Sequence, residues 1–245
     1  MIIGLMLQNF KTYNGLKYIP ISNEYKFSAF IGDNGIGKSS ILEALDCYFN
    51  DSNWNINKQA TSERGSTGAN IPHIVPIFLI KKELLKQTTR DDKENFDLAC
   101  KLSNLLWETE PTKLHVAQNE AKEFLSYRDN LIKFKDTHLL IISGKRHNRG
   151  NEIFFSSFEK LIQNNFCSND EIENATDLTE DESKKEQEDK IFRSQFSKFN
   201  EYIKSHFSYT YIPVEINIED FTKLETTDMQ KLLGKDIRNV INEAV

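Results

Sequence analysis

The stretch FIGDNGIGKSS, from Phe30 to Ser40, sets the architecture of this chain. Within it, the segment from Gly32 to Ser39 matches the pattern G-x-x-x-x-G-K-[ST] in full. Such a loop wraps backbone N–H groups around a chain of phosphates, in conformations that glycine reaches without strain. The helix that follows such a loop adds free N–H groups and the positive end of its dipole. The motif therefore predicts a nucleoside-triphosphate site.

Each side chain of the motif has an expected role. Lys38, the first catalytic candidate, places an ammonium beside the β- and γ-phosphates, where opposite charges attract. Ser39 supplies a hydroxyl for Mg²⁺, and Ser40 reaches the α-phosphate. The predicted nucleotide-binding residues of the loop are Asn34, Gly35, Gly37, Lys38, Ser39 and Ser40.

The residues on either side of the loop predict an α/β fold. In residues 2–9, successive side chains would point to opposite faces of a strand, and both faces are largely apolar. This pattern is typical of a strand covered on both sides. A short strand is expected at 16–21, and a third, YKFSAFI at 25–31, leads directly into the glycines. After the loop, apolar residues recur at helical spacing, at Ile41, Leu42, Leu45, Tyr48 and Phe49. A strand before the motif and a helix after it form the context that supports a phosphate-loop assignment.

The rest of the chain alternates apolar and polar segments. Residues 50–71 are rich in Gly, Ser and Asn and predict a surface loop. IPHIVPIFLI, at 71–80, predicts a strand that its two prolines confine to an edge or to short pieces. Residues 83–134 predict a helical insertion broken near Pro111. The remaining segments predict a buried strand at 138–144, a helix at 151–166, an acidic flexible linker at 167–190, a helix at 191–206 and a strand at 207–216.

Composition narrows the class of protein. The chain has 245 residues, of which 38% are apolar and 28% are charged. Its net charge of −6 argues against a surface that is generally basic and coats nucleic acid. No apolar run reaches the ~20 residues needed to cross a bilayer, and the first residues lack the basic leader of a signal peptide. Three cysteines without metal-ligand spacing fit a reducing cytoplasm, which is the expected location.

The second half of a hydrolytic site is harder to find. Hydrolysis of a nucleoside triphosphate needs an acidic residue at the end of another buried strand, and a group that orients water. The strand at 138–144 ends in Ser and Gly, and the one at 71–80 is followed by lysines. The segment YTYIPVE offers Glu215, but a proline interrupts it. We therefore expect that part of the active site is missing from these residues.

The segment from Leu5 to Lys11, LMLQNFK, followed later by FIGDNGIGKSSILEAL, resembles the SMC, RecF and RecN group of ATP-binding-cassette ATPases. In that group a strand ending in N-F-[KR] precedes a loop of the form G-x-N-G-x-G-K-S. The resemblance covers residues 1–49 and returns at 209–245, which looks like the strand, Q-loop and helix that lead into a coiled-coil arm. It implies an ABC-type P-loop NTPase fold, the N-terminal lobe of an ATPase head with a mixed β-sheet.

The resemblance also implies ATP and Mg²⁺ as cofactors and a split site. In the family a coiled coil follows the N-terminal lobe, and only then does a C-terminal lobe supply the signature motif and the acidic strand. The family's Q-loop glutamine is absent here, and its place falls to Val214 or Glu215. Glu215 is expected to act as a catalytic and Mg²⁺-binding residue, or else is an ordinary strand-end residue. Lys11 is expected to approach phosphate, or else is a solvated lysine.

The expected domain organisation follows from this resemblance. It runs as an N-terminal lobe with the phosphate loop at 1–82, a helical insertion at 83–134, a continuation of the lobe at 135–166, the acidic linker at 167–190, a strand and Q-loop-like region at 191–226 and the start of a helical arm at 227–245.

The resemblance implies a function together with its partners. In relatives two heads enclose ATP, and the arms transmit the resulting change to DNA. The implied partners are a second head in a homodimer, double-stranded DNA and a nuclease effector, in DNA repair or in an anti-phage system such as Lamassu or Septu. The cluster GKRHNRG, 144–150, is a candidate DNA-backbone contact, although we favour an ordinary polar loop.

Three other functions stay open. One is a RecF- or OLD-type ATPase that regulates a fused or partner nuclease without long arms. Another is a module that binds ATP only to hold a dimer together. A small self-contained P-loop kinase or GTPase is disfavoured by the missing acidic strand.

Overall fold

The structure, a computed structural model, describes residues 1–22, 27–57, 71–113, 119–147 and 194–212. The strands are β1 (Ile2–Gln8), β2 (Leu16–Pro20), β3 (His73–Lys81), β4 (His138–Ile142) and β5 (Lys145–Arg146). The α-helices are α1 (Lys38–Asn50), α2 (Arg90–Glu108), α3 (Asn119–Asp129) and α4, over residues 194–204. Within these ranges no helix has both the length and the apolar character needed to cross a membrane.

The strands form one sheet in the order β2-β1-β3-β4, with β5 also paired to β3. Every pairing among the described strands is antiparallel. The apolar residues of the two middle strands, β1 and β3, are buried on both faces, which explains why their sequences are nearly continuous apolar runs. Strands β1 to β4 confirm four sequence predictions, whereas a parallel portion of the expected mixed sheet is not seen in the described ranges.

The prediction that prolines would confine this strand to an edge or to short pieces is wrong, because β3 has 9 residues and lies between β1 and β4. Pro76 of β3 lies opposite Leu5 of β1, and its carbonyl accepts a hydrogen bond from the backbone N–H of Ser143 at 3.2 Å. Because the N and C=O of an extended residue point the same way, the N–H that proline lacks would face the gap between β4 and β5. The interior strand tolerates proline because the neighbouring ladder is interrupted there.

The strand predicted at 25–31 is not formed in its described part. Residues 27–33 have no regular secondary structure, and the side chains of Phe27 and Ile31 are 81% and 93% exposed. A strand needs a neighbour for its backbone N–H and C=O groups, and no strand of the described ranges lies beside this segment. An open apolar segment, rather than a strand, therefore leads into the phosphate loop.

Helices α2 and α3 confirm the helical prediction for 83–134 and the break near Pro111. Helix α2 begins with a capping box, in which the Thr89 side chain accepts from the Asp92 N–H and the Asp92 carboxylate accepts from the Thr89 N–H. Helix α2 packs on β4 and α3 packs on β2. They add to the same core as the sheet the side chains of Leu102, Leu106, Phe124 and Leu125.

Helix α1 is anchored to the sheet through aromatic side chains in its last turns. The rings of Tyr48 and Phe49 each lie 6.2 Å from the ring of Phe78 on β3. The ring of Tyr209, beyond α4, stacks on Phe49 at 5.4 Å. Ser40, Ile41, Ala44 and Leu45 of α1 are buried as well, whereas residues 31–36 of the phosphate loop before the helix are exposed.

The helix predicted at 191–206 is confirmed over its described part, 194–204. The strand predicted at 207–216 is not formed over 207–212, which has no regular secondary structure. The helix at 151–166, the acidic linker at 167–190, Glu215 and the arm at 227–245 lie outside the described residues.

Candidate nucleotide-binding site

Two glycines in left-handed conformations build the phosphate loop. Gly35 has φ +85° and Gly37 has φ +105°. Residues other than glycine adopt such backbone angles only under strain. A Cβ added to Gly37 would also lie 2.6 Å from the Thr12 hydroxyl oxygen. The turn at 34–37 leads directly into α1, whose N-cap, Gly37, offers no side-chain cap. The N–H groups of that first turn are therefore available to an anion such as phosphate.

Lys38 folds back over the loop. Its ammonium donates hydrogen bonds to the carbonyl oxygens of Gly32 at 2.6 Å and Asp33 at 2.5 Å. These contacts hold the cation above the turn formed by residues 34–37. The contact of Lys38 with phosphate remains a prediction.

The two serines of the motif differ in exposure. Ser39 is exposed, whereas Ser40 is buried against the body of the protein. Ser39 can therefore present its hydroxyl to a metal ion held by phosphate oxygens. The roles of Ser39 and Ser40 towards Mg²⁺ and the α-phosphate remain predictions.

Lys11 lies beside the first turns of α1 and forms an ion pair with Glu43 of that helix. Its backbone is in the left-handed region at φ +49°. The Lys11 N–H donates to the Asn55 carbonyl at 2.7 Å, and the Asn57 amide donates to the Lys11 carbonyl at 2.6 Å. The lysine is not simply solvated, because its backbone is held on both sides and its side chain is paired.

The connection between β1 and β2 contacts the phosphate loop directly. The Tyr13 hydroxyl donates to the Gly37 carbonyl oxygen at 3.3 Å. Burial raises the pKa of the Tyr13 hydroxyl, so this group stays a neutral donor. The residues after N-F-K therefore form one wall of the site.

The metal-binding half of the prediction is only partly located. Glu215 lies outside the described residues, so Ser39 is the only one of the two predicted Mg²⁺ ligands whose position is given. The described ranges hold no group of three or more His, Cys, Asp or Glu side chains placed to bind a metal ion. The geometry of Ser39 fits Mg²⁺ only as one hydroxyl ligand among others that the nucleotide and further residues would provide.

The basic cluster is largely engaged within the protein. Lys145 pairs with Asp51 and donates to the Cys47 carbonyl at 3.2 Å. Burial acts to raise the pKa of Asp51, but Lys145 outweighs it and holds that pKa below its ordinary value. Arg146 donates from Nε to Nε2 of His73 at 2.6 Å. The described part of the cluster therefore contains strand β5 rather than the ordinary polar loop that the sequence analysis favoured, and both cations of that strand are engaged within the protein. Residues 148–150 lie outside the described ranges.

Sequence reasoning missed Tyr13 and Glu43. Glu43 follows Ser39 by four residues, which places both on one face of α1 and could have indicated a group near the site. Nothing in the sequence indicates the contact of Tyr13 with Gly37, which depends on how the β1–β2 connection packs.

One comparison with known proteins identifies a family. A family model described as AAA ATPase domain matches residues 1–245. No curated protein and no solved structure gave a match.

Proposed function

Because the chain belongs to the AAA ATPase domain family, we propose that it is the ATP-binding N-terminal lobe of an SMC-like ATPase head. Two heads enclose ATP in a homodimer, and hydrolysis is coupled to the binding or sensing of double-stranded DNA. The setting is anti-phage defence or DNA repair, with a nuclease as the effector.

The observation that carries the proposal is the phosphate loop itself. Gly35 and Gly37 adopt the conformations that a phosphate-wrapping turn needs, α1 begins without a side-chain cap, and Lys38 lies over the turn. In the proposal the backbone of Asn34, Gly35 and Gly37 cradles the phosphates and Lys38 binds the β- and γ-phosphates. Ser39 binds Mg²⁺, and Ser40 binds the α-phosphate.

Two features support a site completed by other segments. The side chains of Phe27 and Ile31 are exposed, and residues 27–31 lack a neighbouring strand among the described ones. The described strands also end without an acidic residue beside the loop: β3 ends in Lys81 and β4 in Ile142. In the proposal Glu215 takes the place of the Q-loop glutamine, and a C-terminal lobe supplies the acidic strand.

ATP binding and hydrolysis by the purified 245-residue chain test the proposal. We expect weak, Mg²⁺-dependent ATP binding that Lys38→Ala removes, and no turnover. In the complete protein we expect turnover that both Lys38→Ala and Glu215→Gln reduce, and dimerisation with a slowly hydrolysed ATP analogue, measured by light scattering. Hydrolysis by residues 1–245 that Lys38→Ala abolishes would show that the split-site proposal is wrong.

DNA coupling needs its own measurement. Fluorescence anisotropy of labelled double-stranded DNA is expected to report tighter binding by the complete protein with ATP than without it. Binding that weakens steeply with salt would indicate phosphate contacts. Equal, weak binding in both states would remove DNA from the proposal and leave the ATPase assignment intact.

A further inference from the structure

The Lys11–Glu43 ion pair joins the two elements that flank the phosphate loop. Lys11 belongs to the β1–β2 connection, and Glu43 belongs to α1. The side chain of Lys11 is 31% exposed and that of Glu43 is 21% exposed. Solvent screens such a partly enclosed pair less than it screens a surface pair. Breaking the contact between Lys11 and Glu43 therefore costs a measurable free energy.

The pair lies close to the position of the phosphates. Glu43 is four residues after Ser39, which is about 6 Å along the helix axis and on the same face. Thr12 and Tyr13, the residues after Lys11, contact Gly37 of the loop. A lysine ammonium that swings from Glu43 towards the start of α1 thus moves towards the phosphate loop.

Only the side chain of Lys11 is free to make this exchange. Its backbone N–H is bonded to Asn55, and its carbonyl is bonded to the side chain of Asn57. The side chain therefore turns about a fixed backbone, and its anionic partner in the structure is the carboxylate of Glu43.

We propose that Glu43 competes with nucleotide phosphate for Lys11 and so sets the affinity of the site. This inference rests on the proposed function, because it assumes that ATP binds at the loop. When the nucleotide binds, the ammonium of Lys11 leaves Glu43 for a phosphate oxygen. The exchange also couples the β1–β2 connection to phosphate occupancy, since Lys11, Thr12 and Tyr13 are consecutive.

Binding of a fluorescent ATP analogue, with ATP as competitor, tests the competition in the 245-residue chain. Glu43→Gln keeps the shape of the side chain and removes its charge, so Lys11 is released. We expect Glu43→Gln to bind ATP about 2- to 5-fold more tightly, the factor that corresponds to the loss of an ion pair worth up to about 1 kcal/mol. Lys11→Met is expected to weaken binding, and the Glu43→Gln gain should vanish in the Lys11→Met background.

Asp46→Asn is the matched control. Asp46 lies on α1 and accepts a hydrogen bond from Asn50 at 2.7 Å, so its substitution removes the same charge from the same helix without touching Lys11. We expect its ATP affinity to equal that of the wild type. An equal gain in Asp46→Asn, or a gain that survives Lys11→Met, would reduce the effect to general electrostatics and overturn the proposal.

Failure of this inference differs from failure of the proposed function. If Glu43→Gln binds ATP no better than the wild type while Lys38→Ala still abolishes binding, the competition is wrong and the nucleotide site stands. If the wild type binds no ATP, or binds it equally after Lys38→Ala, both are wrong. Melting temperatures of all variants verify that each is folded.

Discussion

The ammonium of Lys38 donates a hydrogen bond to the carbonyl oxygen of Gly32 at 2.6 Å and so closes the phosphate loop on itself. The acceptor is a neutral backbone group, whereas a triphosphate offers charged oxygens. The ammonium is charged in both contacts, but only a phosphate oxygen adds the attraction between two opposite full charges. Lys38 is therefore held near its site by contacts that a nucleotide can replace.

Replacing Lys38 by Ala is expected to weaken ATP binding at least about 10-fold, because one charge-assisted contact contributes about 1.5–3 kcal/mol. The melting temperature should change little, since the lost contacts are exposed. Titration with a fluorescent ATP analogue and a thermal melt measure both quantities. Lys17→Ala, which removes an exposed lysine from β2, is the control and should bind ATP as the wild type does. Equal ATP affinity in the Lys38 and Lys17 variants would contradict the site.

Gly37→Ala and Gly35→Ala separate backbone strain from steric overlap. Both glycines have positive φ, so each alanine should cost about 1 kcal/mol of the free energy of unfolding. At Gly35 nothing lies within 4 Å of the added Cβ, whereas at Gly37 it would meet the Thr12 hydroxyl at 2.6 Å. Gly37→Ala should therefore cost about 2 kcal/mol or more. Urea unfolding compares the two variants, and an equal loss would show that the β1–β2 connection moves away freely.

The main elements could be predicted from the sequence because local signals determine them. Alternation of apolar residues gave β1, helical spacing gave α1, and the glycines with Lys38 gave the loop. Pro76 misled the prediction, since its missing N–H faces an interruption between two other strands that no local pattern reveals.

Contacts between distant segments could not be predicted either, because local sequence patterns do not reveal how such segments pack together. The pairing of Lys11 with Glu43 and the contact of Tyr13 with Gly37 depend on where the β1–β2 connection packs against α1. The aromatic residues of 25–31 favour a strand, but strand formation also requires a neighbour, which the described residues do not provide.

Ser143 links α1 to α4 through a buried chain of hydrogen bonds. Its hydroxyl donates to the Asn200 side-chain carbonyl at 2.6 Å and accepts from the Tyr48 hydroxyl. All three residues are almost wholly buried. Ser143→Ala leaves two polar groups without a partner and should lower the free energy of unfolding by about 2 kcal/mol.

Chemical denaturation of Ser143→Ala beside Ser126→Ala measures this effect. Ser126 is exposed on α3, so its substitution should change stability by no more than about 0.5 kcal/mol. Adding Tyr48→Phe to Ser143→Ala removes one unpaired hydroxyl, so the double variant should be less destabilised than the sum of the two single variants. Strict additivity would contradict a connected chain.

His73 is a second buried polar residue, at the start of β3. Burial, followed by the neighbouring positive charge of Arg146, lowers its pKa from 6.5 to about 4. Arg146 donates to its Nε2 atom, which requires a neutral ring that accepts there. The folded protein therefore keeps His73 unprotonated at pH values where an unfolded chain would protonate it.

This difference makes stability depend on pH with a definite sign. Between about pH 4 and about pH 6.5 the unfolded state binds the extra proton, so the free energy of unfolding falls as the pH decreases through this range. From about pH 7 to about pH 5, His73 should account for a loss of about 2 kcal/mol. Urea unfolding of the wild type and His73→Gln at both pH values measures it, since glutamine does not titrate but can still accept from Arg146. The variant should lose less stability on acidification, and an equal loss in both proteins would show that His73 is protonated in the folded state as readily as in the unfolded chain.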